Sequence, residues 1–195
     1  MLTRLAAVLV RQRMAEGAPP GVDGRAWLEA VAEDTYEMVA GLELVTPVLL
    51  TSVPELSEIV WPGTEVIAIG EDEPLRDILK RLDGEQAAVI SGDAPDLPPL
   101  LVGKLFRELG RARITVCPAE RGGAVALACG LPAPGWADPD LDAADPVAAL
   151  RAQAPGPRMV AATPGWHRLR VPDDAARLDP GLEGWDNTRA LLAAR

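Results

Sequence analysis

The sequence predicts an α/β fold in which helices cover a mostly parallel β-sheet. Short apolar runs of strand length, bounded by chain-breaking residues, alternate along the chain with segments of helical periodicity. A strand, a helix and a further strand in succession form a βαβ unit, whose two strands run parallel. The 195 residues lie within the range that one hydrophobic core serves, so we expect a single domain over residues 1–195.

The first half of the chain is predicted to contain two strands and two helices. A helix is expected over residues 23–42, which begin with a capping aspartate and repeat apolar residues at helical spacing. Residues 46–52 and 65–70 are continuous apolar runs typical of buried strands. A short helix follows Asp72 and ends before Gly84.

The second half continues the alternation and then becomes irregular. Residues 131–145 are rich in proline, glycine and aspartate, and we interpret them as a long loop. No strand is assigned to the apolar residues near the start of the chain. The further predicted elements are a strand at 86–91, a helix at 97–109, a strand at 113–117, a helix at 145–153, a last strand at 166–171 and a closing helix from 186 or 187.

Composition narrows the classes of partner. The net charge of −10, from 29 acidic and 19 basic residues, argues against nucleic acid, whose binding needs clustered lysine and arginine. No apolar stretch approaches the ~20 residues that cross a bilayer, so we expect no membrane span. The apolar start has no small-residue cleavage site after it, which favours a cytoplasmic location.

Cys117 and Cys129 lack zinc-ligand spacing and are expected to be buried thiols.

The loop after the predicted strand at 86–91 holds the first candidate for chemistry. Ligands of open parallel sheets bind beyond the carboxyl ends of the strands, and Asp93 lies there. Its carboxylate suits a divalent metal bound to phosphate, and a simple turn residue is an equal alternative. Asp96 precedes Pro98 and is interpreted mainly as a helix cap.

Two adjacent glycines mark a second candidate. Gly122 and Gly123 follow Arg121 between two apolar runs, where they allow either a close approach to a ligand or a tight β-hairpin. The guanidinium group of Arg121 suits phosphate oxygens, and a solvated hairpin arginine is the favoured alternative. His167, the single histidine, is interpreted as structural or exposed, and the aspartates of 138–145 as a solvated acidic loop.

Four stretches in order resemble a known family. Residues 90–98 (ISGDAPDLP), then a helix and a strand, then residues 118–123 (PAERGG), resemble the bacterial glycosyltransferase-like branch of the nucleotide-diphospho-sugar transferases. Residues 30–35 (AVAEDT) are similar to an early helix of that family, and residues 185–191 (WDNTRAL) to the start of its last helix. The 90–98 stretch carries the closest match.

The resemblance implies a three-layer, Rossmann-like GT-A fold with a mixed, mostly parallel sheet. It implies a nucleotide or nucleotide-sugar as ligand, a small acceptor, and glycosyl or nucleotidyl transfer without a protein nucleophile. Asp93 would be the catalytic carboxylate and a ligand of Mg²⁺ or Mn²⁺, with Asp186 as a second metal ligand. The residues expected to bind the nucleotide are Gly92, Arg13, Arg121, Gly122 and Gly123.

The departures from the family pattern keep a second function open. A complete Lys-Thr-Arg-Leu loop is absent near the start, and Arg13 follows the apolar residues so closely that this loop looks collapsed. Arg121 replaces an acid and Ala124 a tyrosine. These changes favour a non-catalytic binding or regulatory relative as the alternative to a transferase. A third hypothesis is that the chain is similar to the 2-phospho-L-lactate guanylyltransferases, which have the same fold. This hypothesis predicts a preference for GTP. The oligomeric state is left open.

Overall fold

A seven-stranded sheet with helices on both faces organises the chain. The computed structural model describes residues 2–194. The strands are β1 (Arg4–Val10), β2 (Thr46–Thr51), β3 (Glu65–Ala68), β4 (Gln86–Ser91), β5 (Ile114–Pro118), β6 (Ala124–Gly130) and β7 (Val160–Ala162). The helices are α1 (Gly24–Ala40), α2 (Leu75–Leu79), α3 (Pro99–Glu108), α4 (Pro146–Gln153) and α5 (Asp186–Ala193).

The sheet is mixed and mostly parallel, as predicted. Its strand order is β3-β2-β1-β4-β6-β5-β7. Only β6 runs against its neighbours β4 and β5, and the remaining pairs are parallel. The carboxyl ends of all the strands except β6 therefore lie along one edge of the sheet. We call this side the carboxyl edge.

The central strand β1 was not predicted. Val8 pairs with Leu49 of β2 on one side and with Ile90 of β4 on the other. Residues 5–10 are all buried, because helices cover both faces of the sheet at this position. A strand buried on both faces has no alternation of polar and apolar residues, so periodicity does not reveal it.

The two faces of β1 belong to two separate cores. Val8 lies in one cluster with Leu28 of α1 and Leu105 of α3. Leu9 lies in the opposite cluster with Ile78 of α2, and α4 also contributes to this cluster. Successive side chains of a strand point to opposite faces, so one strand supplies both cores. The three-layer arrangement that the family resemblance implies is confirmed.

Two local predictions need correction. The predicted strand at 166–171 does not form; the last strand is β7, and Trp166 makes a single bridge with Ala119. The predicted strand at 65–70 forms as β3 but is not buried, because it lies at the edge of the sheet and its residues are mostly exposed. Arg13 lies three residues beyond the end of β1, so the loop before it is as short as the sequence indicates. The other predicted helices and strands agree with the structure to within a few residues.

Two features of the described residues relate to the composition. Within residues 2–194, none of the helices has the length and apolar character needed to cross a bilayer. Cys117 and Cys129 are both buried and unpaired by disulfide.

Candidate functional site

The loop after β4 brings Asp93 to the carboxyl edge. A methyl group added at Gly92 would lie 2.6 Å from Cγ2 of Val10, so only glycine lets this loop pack so closely on β1. The backbone N–H of Leu169 donates to the carbonyl of Asp93 at 2.8 Å. The loop is thus held between the central strand and the segment that follows β7.

The Asp93 carboxylate is paired with a buried arginine. Arg168 donates from Nε to Oδ1 at 2.9 Å and from Nη2 to Oδ2 at 3.0 Å, and Ser91 donates its hydroxyl to Oδ1 at 2.6 Å. Asp93 is 1% exposed and the Arg168 side chain 4%. Two parallel N–H···O bonds in a dry environment are the strongest form of this ion pair.

The same guanidinium group also contacts a second carboxylate. Arg168 Nη1 donates to Oδ1 of Asp142 at 2.7 Å, and it lies 3.3 and 3.2 Å from the carbonyl oxygens of Ala124 and Leu141. Asp142 belongs to the acidic loop that was predicted to be solvated, yet its side chain is only 31% exposed. Arg168 therefore lies between two carboxylates that come from different loops.

Charge stabilises this arrangement. Burial alone would lower the pKa of Arg168, but the neighbouring charges of Asp93 and Asp142 outweigh it and raise that pKa above its ordinary value. Burial would raise the pKa of Asp142, but the Arg168 guanidinium outweighs it and holds that pKa below its usual range. Arg168 and Asp142 therefore both stay ionised near neutral pH.

A small cavity opens beside this pair. This central cavity has a volume of about 140 Å³. Its charged lining residues are three arginines and three carboxylates: Arg13, Arg168, Arg170, Glu16, Asp93 and Asp142. Arg13 comes from the loop after β1 and donates to Oδ2 of Asp142 at 3.1 Å. The structure thus brings Arg13 and Asp93, two of the predicted site residues, to one cavity.

A larger and more basic cavity adjoins it through two shared arginines. The basic cavity has a volume of about 360 Å³ and is lined by Arg121, Arg168, Arg170 and Arg177, with Asp174 as its one carboxylate. Arg121 Nη1 lies 3.2 Å from Oδ1 of Asp174, and the Arg121 side chain is 65% exposed. The lining of this cavity is therefore rich in arginine. Two of these arginines also have carboxylate partners outside the lining: Arg168 contacts Asp93 and Asp142, and Arg177 contacts Glu120.

A third cavity lies on the other side of Arg13 and has the opposite character. This acidic cavity has a volume of about 320 Å³ and shares Arg13 and Asp142 with the central cavity. Its charged lining residues are Arg11, Arg13, Asp72, Glu73, Asp138, Asp140 and Asp142. Arg11 is buried and donates to the carbonyl groups of Glu71 and Glu73, so it serves the local structure. The three cavities together form a trench whose charge changes from acidic to basic.

The two adjacent glycines have a structural explanation. Gly122 and Gly123 have φ angles of 87° and 81°, a conformation that side chains disfavour, in the turn of the β5–β6 hairpin. The N–H of Ala119 donates to the carbonyl of Gly123 at 2.9 Å and closes this turn. The hairpin alternative is therefore confirmed, and nucleotide binding by these glycines stays a prediction.

The structure places Asp186 apart from Asp93. Asp186 is exposed in the first turn of α5 and is not among the residues that line the central cavity. The neighbouring residues contact Asp34 of α1, whose carboxylate accepts from the N–H and Nδ2 of Asn187, both at 3.0 Å, and from the N–H of Thr188 at 2.7 Å. Residues 30–35 and 185–191, two of the stretches that resemble the family, are thus joined by hydrogen bonds.

The interpretation of Asp96 as a helix cap is wrong. Pro98 occupies the N-cap position of α3, and no side chain caps this helix. Asp96 instead accepts from Nε1 of Trp166 at 3.1 Å and from the N–H of Asp179 at 3.0 Å, and it lies 2.9 Å from Nε2 of His167. His167 is buried and stacks on Trp166, which agrees with a structural role.

The residues at Asp93 do not fit the divalent metal that the family resemblance implies. Arg168 contacts both carboxylate oxygens, so a cation bound there would lie directly against a guanidinium group. Nowhere in residues 2–194 do three or more acidic, histidine or cysteine side chains gather closely enough to hold a metal ion. The arrangement therefore supports no chemical step through a metal at Asp93 and Asp186.

Sequence analysis missed the residues that dominate this site. Arg168 and Arg170 lie in the run that was interpreted as a strand, and Asp142 was assigned to solvent. Arg168 is 75 residues from Asp93 and 26 residues from Asp142 in sequence, so no local pattern pairs these side chains.

The comparisons with known proteins give matches in structure only. No protein-family model matches the chain, and no curated protein matches it in sequence. A Desulfovibrio desulfuricans protein assigned as a nucleotide-diphospho-sugar transferase has a structure similar over 100% of this chain and 98% of its own, with 15% identity and a TM-score of 0.66. The synthetase for CMP-2-keto-3-deoxy-manno-octonic acid, solved with CTP, covers 98% and 99% of the two chains at 12% identity and a TM-score of 0.58.

A third match adds a metal complex. A Mycobacterium tuberculosis protein solved with manganese is similar over 98% of both chains, with 19% identity and a TM-score of 0.55. Identities this low establish similarity of fold. The chain has the fold of the nucleotide-diphospho-sugar transferases and related nucleotidyltransferases, which confirms the fold that the family resemblance implied.

Proposed function

We propose that this protein is a nucleotide-dependent transferase that moves a glycosyl or nucleotidyl group onto a small, anionic acceptor. The observation that carries the proposal is the convergence of arginines on the carboxyl edge of this fold. Arg13, Arg168 and Arg170 line the central cavity, and Arg121 and Arg177 extend the cationic lining into the basic cavity. The side chains of Arg13, Arg121 and Arg170 are 40%, 65% and 41% exposed, so N–H donors at this edge remain accessible to an anionic ligand.

The charge along the trench supports an orientation for the ligand. Phosphate groups are favoured at the central and basic cavities, because guanidinium groups bind phosphate oxygens through paired N–H donors. The acidic cavity disfavours phosphate and suits the uncharged or donor-rich part of a nucleotide. A related fold solved with CTP supports a nucleotide as the ligand class.

The chemistry asked of these residues is positioning and neutralisation of charge. Group transfer between phosphates or from a nucleotide-sugar needs the acceptor and the reacting centre held in line, with the developing negative charge stabilised. Arg13 and Arg170 would bind phosphate oxygens at the surface of the cavity, and Arg168 would supply positive charge at its floor. Asp93 would hold Arg168 in place as a positioning residue.

The test of this proposal is direct binding followed by turnover. The full chain is titrated calorimetrically with nucleoside triphosphates and nucleotide-sugars, and release of pyrophosphate or nucleoside diphosphate is then measured with phosphorylated acceptors. Arg170→Met should weaken nucleotide binding about tenfold, which corresponds to the ~1.4 kcal/mol of a lost charge-assisted hydrogen bond. Arg113→Met is the matched control, because Arg113 is exposed and precedes β5 at the opposite edge of the sheet. If no nucleotide or nucleotide-sugar binds, the proposal is refuted.

A non-catalytic nucleotide-binding role is the second candidate, and one observation favours it. Both oxygens of Asp93, the carboxylate expected to be catalytic, are engaged by Arg168. Under this alternative a nucleotide binds but no product forms with any acceptor. A preference for GTP in the same titrations would instead favour the guanylyltransferase relatives.

A further inference from the structure

Arg168 lies between two carboxylates, and one of them, Asp93, is the residue expected to bind a metal. Its Nε and Nη2 donate hydrogen bonds to the carboxylate of Asp93, and its Nη1 donates to the carboxylate of Asp142. The donor–acceptor distances are 2.7 to 3.0 Å. Asp93 and Asp142 lie on loops that are far apart in sequence, and among residues 2–194 Arg168 is the one cationic side chain that contacts both of them at short range. Divalent cations bind between carboxylates of this kind, because hard cations prefer charged oxygen ligands.

The bridge is part of the folded structure and is not a mobile surface contact. The Arg168 side chain is buried, and its Nη1 also lies within hydrogen-bond distance of two backbone carbonyl oxygens. Leu169, the next residue, donates its N–H to the carbonyl of Asp93 and fixes the backbone of the same segment. Removing this buried guanidinium would leave the buried Asp93 carboxylate without a cationic partner, while Asp142 would keep Arg13 and the more distant Arg170.

Arg168 also contributes to both places where phosphate is favoured. It lines the central cavity and the basic cavity and forms the boundary between them. An arginine keeps its charge at every physiological pH, so the positive charge at this boundary is permanent. A metal ion, by contrast, would have to be recruited from solution.

From these contacts we infer that Arg168 replaces the divalent cation in this site, so that the cleft binds phosphate groups without a metal. This inference rests on the proposed nucleotide-binding function and specifies how the site neutralises the ligand. Asp93, the expected metal ligand, and Asp142 instead hold a guanidinium group. The ligand's phosphates then contact Arg13 and Arg170 at the surface, above the charge of Arg168.

The first test measures nucleotide binding with and without metal. The nucleotide found to bind in the calorimetric screen is titrated into the full chain in EDTA and again in excess MgCl₂. The dissociation constants should agree within about twofold, because the protein already supplies the cation. Binding that requires Mg²⁺ would refute this inference and leave the proposed function intact. Absence of binding in both buffers would refute the proposed function.

The second test uses MnCl₂ alone as the probe and does not depend on any nucleotide. Wild-type protein should show no Mn²⁺ binding by electron paramagnetic resonance and no shift in melting temperature. Arg168→Met exposes Asp93 and Asp142 to each other's charge, so this variant should be destabilised and should gain Mn²⁺ binding together with a rise of several degrees in melting temperature. Stoichiometric Mn²⁺ binding by the wild-type protein that Asp93→Asn abolishes would overturn the inference.

A double variant separates the metal effect from a general loss of stability. Arg168→Met combined with Asp93→Asn removes one charge of each sign, so it should be more stable than Arg168→Met alone and should not respond to MnCl₂. Should Arg168→Met fail to fold without metal, refolding yield in MnCl₂ compared with EDTA gives the same answer. A yield unaffected by Mn²⁺ contradicts the inference.

Discussion

Replacing Asp34 with alanine should remove the attachment of α5 to α1. The Asp34 carboxylate accepts three hydrogen bonds at 2.7 to 3.0 Å from Asn187 and Thr188, and the N-cap residue of α5, Trp185, provides no side-chain cap. Hydrogen bonds to a charged group contribute about 1.5–3 kcal/mol each. Burial raises the pKa of Asp34 above its ordinary value despite the N–H donors that act against it, so part of that energy offsets desolvation. We therefore expect a net loss of about 2–4 kcal/mol in the free energy of unfolding.

Urea denaturation followed by tryptophan fluorescence measures this loss, and hydrogen exchange localises it. In Asp34→Ala the backbone N–H of Thr188 should lose its protection from exchange, together with the rest of the first turn of α5. Glu37→Ala is the control, because Glu37 lies one turn further along the same helix and is exposed. Glu37 and Asp34 also line one cavity, which is separate from the three cavities of the carboxyl edge. A free energy within 0.5 kcal/mol of wild type, with Thr188 still protected, would refute the reasoning, since surface substitutions typically fall in about that range.

Three further predictions concern packing, thiol reactivity and pH. Gly92→Ala should lower the free energy of unfolding by about 1–3 kcal/mol in urea denaturation, because its methyl group would overlap the neighbouring strand β1. Cys117 and Cys129 should not react with a thiol reagent at pH 8 until denaturant is added, since burial raises the pKa of both thiols, that of Cys129 to about 12. Stability should fall as pH drops below 3.8, the ordinary pKa of Asp142, because Arg168 lowers that pKa in the folded state and protonation then favours unfolding. Asp142→Asn should flatten this part of the stability profile, measured by thermal unfolding between pH 2 and 5.

Local sequence patterns were sufficient for most of the architecture. The helix α1 can be predicted because its apolar residues recur at helical spacing and its N-terminus is capped by Asp23, whose side chain accepts from the N–H of Ala26. These apolar residues pack into two clusters, with Leu28 in one and Trp27 in the other. The strand β4 is visible as an apolar run between breakers, and it coincides with the prediction. The position of Asp93 at the carboxyl edge follows from these two facts and the βαβ order. Each of these features depends on residues that are close together in the chain.

The features that were missed depend on partners that are distant in sequence. Asp96 has the local pattern of a cap, yet its partners Trp166, His167 and Asp179 come from the end of the chain and outweigh the local preference. Arg168 looks like an exposed position of a strand until the loop after β4 places a carboxylate against it. The contacts of Asp96 and Arg168 produce no periodic pattern in the sequence, so they become visible only in the folded structure.

The stretches that resemble the transferase family contribute unequally to chemistry. Asp34 holds Asn187 and Thr188, while the hydroxyl of Thr35 lies 3.1 Å from the carbonyl oxygen of Gly92. These contacts position α5 and the loop that carries Asp93, and none of them requires a ligand or a metal. Their presence therefore supports the fold but does not by itself support catalysis. The evidence for a transferase must come from the arginines of the trench, because these are the groups that a phosphate-bearing ligand would contact.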